Sequence, residues 1–562
     1  MRAIVGPKVL DMHITRAAVA APLLLATLPF AAPARGQNAL DRVQSPVTKE
    51  DRAAEERTPP RPAARVEIEA PAAVVESARS VLVGAIVLRG LHALAPGDFA
   101  DILATRVGQT LSPQALSELA TAIAARARSR GLVFASAWIG PQQLQNGVLT
   151  VDIDEGRIDE IRFDGAEQAA VRAALAPLAN GAPVRMGELE HRLLIAGDID
   201  GVRIRSTRYL RDKGKGVLLV KVTSDRVAGR ATLANEGTRP LGPEQLTLQA
   251  DFNALFAADD SLTLTWSGTA FEPDELQFGR VRYEKRISRS GTELAVSASG
   301  SVANPGAYLN PLGIRSRSWY VGATMLQPLW RRRSESLWLE GELGMRNLSQ
   351  WRSGRKVRDD RVVAARATLY GYTDLAGGRL RVSTTLSQGL GILDATEMGD
   401  PLASRRDADG TFTSLSAWTD WTSDVGGDVS VRLAVLSQLS SQPLLISEEI
   451  GLGGTGFLRG YDWSERRGDQ GVMGLAELRY LWDHPLGLAR RAQLYAFVDA
   501  GKVTNQDGGF GSGSLASAGG GVRADLTRTF GANLELALPL SGPRYDTGNE
   551  APKVNFKLQK AF

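Results

Sequence analysis

Apolar and polar residues alternate with a period of two from residue 227 to the C-terminus at residue 562. The alternation is clear at residues 246–252, 262–266, 429–435 and 534–540. It is typical of β-strands that have one apolar and one polar face. Such strands form either a sandwich or a membrane barrel.

Three features favour the barrel. The region 227–562 has no helical interlude and is long for one sandwich. Apolar faces end in aromatic residues such as Tyr480 and Trp482, as they do at membrane interfaces. The N-terminus also indicates export, as described below. At about 20 residues for each strand and its connection, the region predicts roughly sixteen strands.

Two units of mixed periodicity precede this region, at residues 81–155 and 156–226. Each predicts the order strand, helix, helix, strand, strand. The predicted helices are 99–107, 112–130, 166–178 and 186–195, and the predicted strands are 85–89, 134–139, 148–153, 158–163, 202–209 and 217–222. Such a unit covers one face of a three-stranded sheet with helices and leaves an edge strand open to an extended peptide.

The first 36 residues predict a cleaved secretory signal. His13 and Arg16 precede an apolar stretch at 17–32, and small residues follow it. Residues 37–80 predict a helix at 39–57 and a proline-rich linker. This segment is either a disordered tether or carries a short helix that plugs a pore.

Composition argues against several classes of function. The 562 residues include no cysteine and four scattered histidines, so we expect no catalytic site, metal site or cofactor. The 66 basic and 62 acidic residues give no electrostatic reason to expect nucleic acid as a partner. Residues 451–456 match G-x-G-x-x-G but lack the strand-turn-helix context of a nucleotide site. We therefore expect that the protein is not an enzyme; an outer-membrane hydrolase is the alternative.

The strand register places the lumen side chains. Counting back from the terminal Phe562 puts Phe497, Asp499 and Gly501 on the lumen face, because an aspartate that faces lipid is costly. The long connection at about 447–471 then lies at the extracellular end, and its glycines allow it to fold inward. Arg459 in this loop can pair with Asp499, which predicts a gated pore.

These motifs resemble the Omp85 superfamily. The loop tip Arg459, Gly460 and Tyr461 is similar to the arginine-glycine-aromatic tip of its largest loop, and residues 497–501 are similar to its aromatic-x-Asp-x-Gly strand element. The units at 81–155 and 156–226 look like POTRA domains. Two such units before a 16-stranded transmembrane β-barrel resemble the two-partner secretion transporters, the family of haemolysin and filamentous haemagglutinin secretion proteins.

The resemblance implies a location and a function. The barrel would span the Gram-negative outer membrane, in contact with its lipid, with the POTRA units in the periplasm. Residues 81–226 would bind an unfolded exoprotein through its N-terminal secretion domain, and the pore would export it without nucleotide hydrolysis. Arg459 would anchor the loop tip, with Asp499 as its partner, and Phe562 would be the signal read by the barrel-assembly machinery. The alternatives are an insertase for other outer-membrane proteins and a passive porin.

Overall fold

The computed structural model describes residues 66–68, 80–165 and 168–562. The predicted signal sequence and the predicted helix at 39–57 lie outside these residues. No helix in the described part of the chain is long and apolar enough to cross a membrane.

The first N-terminal unit is a small sheet covered by two helices. Its elements, with the linker strand that precedes them, are β1 (Val66–Ile68), β2 (Val81–Leu82), β3 (Ala85–Arg89), α1 (Ala100–Ala104), β4 (Thr110–Leu111), α2 (Pro113–Ser129), β5 (Ser136–Trp138) and β6 (Val148–Asp154). β6 lies between β3, which is parallel to it, and β5, which is antiparallel. Ser112 caps α2, because its hydroxyl accepts the backbone N–H of Ala115 at 3.2 Å. The apolar face of α2 then packs on the sheet through Leu116, Leu119 and Ile123.

The second unit repeats this arrangement. Its elements are β7 (Glu160–Asp164), α3 (Ala169–Leu175), α4 (Met186–Gly197), β8 (Val202–Asp212) and β9 (Lys215–Ser224). The sheet order is β1, β8, β9, β7, so the linker strand β1 runs parallel to the outer edge of β8. The edge of β8 is therefore occupied, whereas β5, at the equivalent place in the first unit, pairs only with β6 among the described residues.

The predicted strand at 134–139 begins too early. Regular pairing starts at Ser136, because Val133 and Phe134 turn aside into the core of the second unit. The ring of Phe134 stacks on Tyr209, with centroids 3.9 Å apart. These contacts join the two units through a shared apolar core.

Sixteen antiparallel strands form a closed barrel, which confirms the predicted fold class. They are β10 (Val227–Ala234), β11 (Gln245–Asn253), β12 (Asp260–Thr269), β13 (Leu276–Arg286), β14 (Glu293–Ala303), β15 (Ile314–Arg331), β16 (Glu335–Arg352), β17 (Arg355–Leu375), β18 (Gly378–Gly389), β19 (Thr413–Gly426), β20 (Val429–Ser440), then, after the loop hairpin of β21 (Ile450–Leu452) and β22 (Arg466–Gly468), β23 (Gln470–Asp483), β24 (Arg491–Thr504), β25 (Gly513–Asp525), β26 (Phe530–Pro539) and β27 (Lys553–Ala561).

The barrel closes where β27 pairs with β10, from Arg230 opposite Ala561 to Ala234 opposite Lys557. Phe562 follows β27 directly; its backbone N–H donates to the carbonyl of Gly229 at 2.9 Å, and its side chain is 78% exposed. It shares the outward face with Val554 and Leu558, which are also exposed. The outer surface is therefore apolar where lipid would contact it.

The two ends of the barrel differ in their connections. The end next to the N-terminal units has mostly short turns, such as 332–334, 376–377 and 427–428. The far end carries the longest connections, at 390–412 and 441–469. The second of these corresponds to the loop that the sequence places at about 447–471.

Ion pairs fasten the second unit to the barrel rim. Asp198, just after α4, accepts Nε and Nη2 of Arg331 at 2.8 and 2.7 Å. Arg331 is fully buried at the end of β15, and its guanidinium lies 4.6 Å from the ring centroid of Trp338. Arg286 of β13 donates to the carbonyl of Ile195 at 2.6 Å. The second unit therefore contacts the barrel through specific charged groups.

Candidate functional site: a loop held across the barrel lumen

The loop 441–469 folds into the barrel instead of extending away from it. Phe457, Leu458 and Tyr461 of its tip are at most 6% exposed. They pack on lumen side chains of the wall that include Leu475 and Leu515. Apolar packing therefore holds the tip against the β23 to β26 side of the barrel.

Arg459 contacts three carboxylates on this wall. Its Nη1 donates to Glu477 at 2.8 Å and to Glu535 at 3.1 Å, and its Nε lies 3.4 Å from Asp499. The guanidinium carbon also lies 3.4 Å from the ring centroid of Phe497. The side chain of Arg459 is 3% exposed, and the three carboxylates are at most 4% exposed. These carboxylates therefore balance the charge of Arg459 in a place that is shielded from bulk water.

Asp499 faces the lumen and binds the backbone of the loop as well as the guanidinium of Arg459. One of its oxygens accepts the backbone N–H of Arg459 at 3.3 Å, and the other accepts the hydroxyl of Ser517. It therefore holds the loop backbone as well as the guanidinium. Glu477 and Glu535 make shorter contacts with the guanidinium than Asp499 does. Asp499 is therefore one of three carboxylates around Arg459, which we call the anionic cluster.

Two glycines permit the close approach of the tip to the wall. A Cβ on Gly460 would lie 2.9 Å from the carbonyl carbon of Leu538, and the backbone N–H of Gly460 donates to Ser517 at 3.1 Å. A Cβ on Gly501 would lie 2.8 Å from the side chain of Met473 and 3.1 Å from that of Leu458. Larger residues at either position would push the loop and the wall apart.

Tyr461 fixes the far side of the tip. Its hydroxyl donates to the carbonyl of Gly542 at 3.2 Å and accepts the backbone N–H of Ser541 at 2.8 Å. The ammonium of Lys553 donates to the carbonyl of Tyr461 at 3.1 Å. The tip is thus tied to the connection between β26 and β27 and to β27 itself.

A wider network surrounds the anionic cluster. Arg523 and Arg479 donate to Glu477 at 2.8 and 2.7 Å. Tyr495 donates to Glu535 at 2.9 Å, and Asn555 donates to the same carboxylate at 3.0 Å. The sequence register identifies Glu477 as lumen-facing, but only barrel closure brings Glu477 and Glu535 to Arg459.

The start of the loop is attached to the other side of the barrel. Arg366 of β17 donates through Nη2 to Glu448 of the loop at 3.1 Å, and through Nη1 to Glu342 of β16 at 3.1 Å. β17 lies seven strand positions from β26 in the sixteen-strand ring. The loop therefore crosses the lumen between two charged attachments. Sequence reasoning did not identify Arg366 or Glu448.

A third arginine binds the loop base, by which we mean the two ends of the loop 441–469 where it leaves and rejoins the barrel strands. Arg405, in the connection 390–412, donates to Asp469 at 2.7 Å and to Glu449 at 3.1 Å. The fully buried Asp469 also accepts the backbone N–H groups of Leu444 and Gln506, each at 2.8 Å. Three connections of the far end are thereby joined at one carboxylate.

A cavity of about 930 Å³ lies where the second unit meets the lumen. Residues 197–205 form one side of it, and barrel residues such as Asp251, Arg282, Trp338 and Arg381 form the rest. The cavity gives the second unit a direct connection to the interior of the barrel.

No cluster of potential metal ligands occurs among the residues that the structure describes. Gly451 and Leu452, the first two residues of the G-x-G-x-x-G match, lie within β21, and residues 453–456 lead to the loop tip without a following helix. That segment therefore shapes the loop backbone.

Comparisons with known proteins agree with this geometry. A family profile described as haemolysin secretion/activation protein ShlB/FhaC/HecB matches residues 214–524, and a ShlB-type POTRA domain profile matches residues 81–156. The structure is similar to CdiB from Escherichia coli, with a TM-score of 0.67, 19% identity and coverage of 87% of this chain and 91% of that chain. It is also similar to BamA from Haemophilus ducreyi lacking POTRA domains 1–3, with a TM-score of 0.52, 14% identity and coverage of 86% and 100%.

Three curated relatives are also similar in sequence. The heme/hemopexin transporter protein HuxB of Haemophilus influenzae is 21% identical over 82% of this chain and 83% of its own length. The match to HuxB of strain 86-028NP is 24% identical but spans 47% of this chain and 48% of that protein. The outer membrane transporter CdiB of Dickeya dadantii is 22% identical over 74% of this chain and 75% of its own length.

The profile match covers more than half of the 562 residues. The barrel is therefore an outer-membrane barrel of a two-partner secretion transporter, its POTRA units lie in the periplasm, and the far end faces the cell surface. The chain belongs to the haemolysin secretion/activation protein family ShlB/FhaC/HecB.

Proposed function

We propose that this protein binds an unfolded partner exoprotein in the periplasm and exports it through the barrel to the cell surface without nucleotide hydrolysis. The observation that carries the proposal is the cavity of about 930 Å³, because residues of POTRA unit 2 and of the barrel lumen line it together. A chain held by the POTRA units would therefore enter the pore without release into the periplasm.

Capture is assigned to the POTRA units, and the open edge of β5 is the site we favour. An extended segment of the exoprotein would add to this edge by backbone hydrogen bonds. Trp138 and Val87, which are 36% and 46% exposed, offer apolar contacts on the outer face of the same sheet. The edge of β8 in unit 2 already carries β1, so it would accept a client strand only after β1 leaves.

Passage through the barrel requires the loop 441–469 to be positioned correctly. The loop crosses the lumen between Arg366 and the carboxylates that bind Arg459. Arg459, Gly460 and Tyr461 would hold the tip, with Phe497, Asp499 and Gly501 as their surface on the wall. These residues position the loop and perform no chemistry. Folding of the exoprotein outside the cell would then prevent its return.

The proposal is tested by comparing secreted proteins from a deletion strain with those from strains that carry the wild-type gene or Arg459→Ala. We expect one large exoprotein to disappear on deletion, to return with the wild type, and to stay strongly reduced with Arg459→Ala although the barrel reaches the outer membrane. Arg406→Ala, which removes an exposed arginine of a surface connection, is the matched control.

An unchanged set of secreted proteins in the deletion strain would contradict the export function. Normal export by Arg459→Ala would contradict only the role of the loop tip. A general loss of other outer-membrane barrels in the deletion strain would indicate an insertase. Removal of residues 81–155 should abolish recovery of the exoprotein with the purified transporter, because it deletes β5.

A further inference from the structure

A group of basic side chains surrounds Trp351 on the outward face of the barrel, near the cell surface. In the strand pairing, Trp351 of β16 lies opposite Arg315 of β15 and Lys356 of β17. Arg317 lies two residues from Arg315 and therefore on the same face. We call Arg315, Arg317, Trp351 and Lys356 the outer basic patch.

The outer basic patch carries uncompensated positive charge. The guanidinium carbon of Arg317 and the ammonium of Lys356 lie 5.7 and 5.5 Å from the ring centroid of Trp351. Lys356 pairs with Asp359 at 2.9 Å. The side chains of Arg315 and Arg317 are exposed and make no hydrogen bond or ion pair within residues 66–68, 80–165 and 168–562. Three cations thus face outward with one carboxylate beside them.

The strand register places the outer basic patch at the level of lipid headgroups. Val321 and Leu343, on the same outward face of β15 and β16, are 53% and 55% exposed and lie in the apolar band. Trp319 lies between this band and Arg317, as aromatic residues do at membrane interfaces. At about 3.3 Å per residue, Arg317 is roughly 7 Å along the strand beyond Trp319. The patch therefore borders the headgroups of the outer leaflet.

We propose that the outer basic patch binds lipopolysaccharide through the phosphate groups on its glycolipid headgroup. The forked guanidinium groups of Arg315 and Arg317 suit phosphate oxygens, and Lys356 adds a point charge. Trp351 holds Arg317 and Lys356 beside its ring, so that both cations are positioned before the lipid binds. The bound lipid holds the long hairpin of β16 and β17 against the outer leaflet.

The test is a titration of lipopolysaccharide into purified full-length protein in a neutral detergent, with bound lipid counted by native mass spectrometry. We expect the variant R315Q/R317Q/K356Q to bind at least about tenfold more weakly. Each basic residue near an anionic lipid surface raises the affinity by a factor of about five. Enzymatically dephosphorylated lipopolysaccharide should bind the wild type with a similar loss. Inorganic phosphate at the same concentration should not displace the lipid.

The matched control is R289Q/R490Q/R528Q, which removes the same charge from exposed residues of the periplasmic turns. It should bind the lipid as the wild type does. Trp351→Leu should weaken binding by a smaller factor than the triple variant. Folding of each variant is checked by the heat-dependent shift of the barrel on gels.

Four results would overturn the proposal. The first three are wild-type affinity of the folded triple variant, an equal loss in the control variant, and undiminished binding of the dephosphorylated lipid. Displacement by inorganic phosphate would show a simple anion site and would also overturn it.

Discussion

Arg366 and Glu448 join the barrel wall to the start of the loop 441–469 at 3.1 Å, and the polarity is the reverse of that at the loop tip. At the tip, a loop arginine, Arg459, binds wall carboxylates; at the start, a wall arginine binds a loop carboxylate. Glu448 and Glu477 are both almost fully buried. The loop is thus fixed on two sides of the lumen, and loss of either attachment should allow part of the loop to move.

A charge exchange tests the attachment at the start of the loop. Arg366→Glu places a third carboxylate beside Glu342 and Glu448, and we expect it to destabilise the loop by about 3–5 kcal/mol. The channel conductance in planar bilayers should rise, because the loop leaves the lumen for part of the time. The double variant R366E/E448R should recover much of the low conductance of the wild type.

Recovery should be partial because of Glu342, which lies beside position 366. In the double variant Glu342 would be repelled by the carboxylate at position 366 and attracted by the arginine at position 448. Equal conductance of Arg366→Glu and the wild type would show that the attachment does not hold the loop. A double variant as open as the single variant would show that Arg366 acts through Glu342 alone.

The loop base is tested with two adjacent arginines. Arg405→Ala leaves the buried Asp469 and Glu449 without their arginine, at a cost of about 2 kcal/mol or more. We expect faster cleavage of the surface connections by a protease added to intact cells. Arg406→Ala, which changes an exposed neighbour, should be cut at the wild-type rate. Equal cleavage of both variants would rule out the base contact as a restraint.

One buried ion pair, between Asp198 and Arg331, is among the contacts that join POTRA unit 2 to the barrel. Asp198→Ala should destabilise the junction by about 3–5 kcal/mol, because it leaves the fully buried Arg331 without a carboxylate. Increased hydrogen exchange of α4 in the full-length protein is the measurement. The double variant D198A/R331M removes both charges and should exchange more slowly than Asp198→Ala. Unchanged exchange in the single variant would contradict a stabilising role of the pair.

The POTRA units should lose stability at alkaline pH through Tyr209. Burial, followed by the nearby negative charge of Asp159, raises the pKa of Tyr209 to about 12. The ordinary pKa of tyrosine is about 10, so the unfolded chain loses this proton at lower pH than the folded chain does. The contribution of Tyr209 to the free energy of unfolding is therefore fully present below pH 10 and is lost as the pH rises toward 12. The loss should reach up to about 3 kcal/mol, since one pKa unit corresponds to about 1.4 kcal/mol.

The measurement for Tyr209 is the thermal transition of the POTRA units in the full-length protein between pH 9 and pH 12. Tyr209→Phe keeps the ring that stacks on Phe134 but has no phenol to ionise. Its transition should fall less steeply with pH. Identical slopes for the variant and the wild type would exclude Tyr209 as the titrating group.

The sequence by itself determined the barrel, the approximate strand number and the lumen position of Asp499. Alternation with a period of two is a local property of a strand, and the cost of placing an aspartate in lipid decides which face turns inward. The sequence also showed that the glycines of the long loop allow it to fold inward.

Only the tertiary structure decided which side chains meet. Glu535, Arg366 and Arg405 reach the loop because the barrel closes and sets the register between distant strands and connections. Phe134 leaves its predicted strand because the core of the second POTRA unit can bury its ring. Charge partners and shared cores depend on distances between segments that are far apart in the chain, and a local pattern contains no information about those distances.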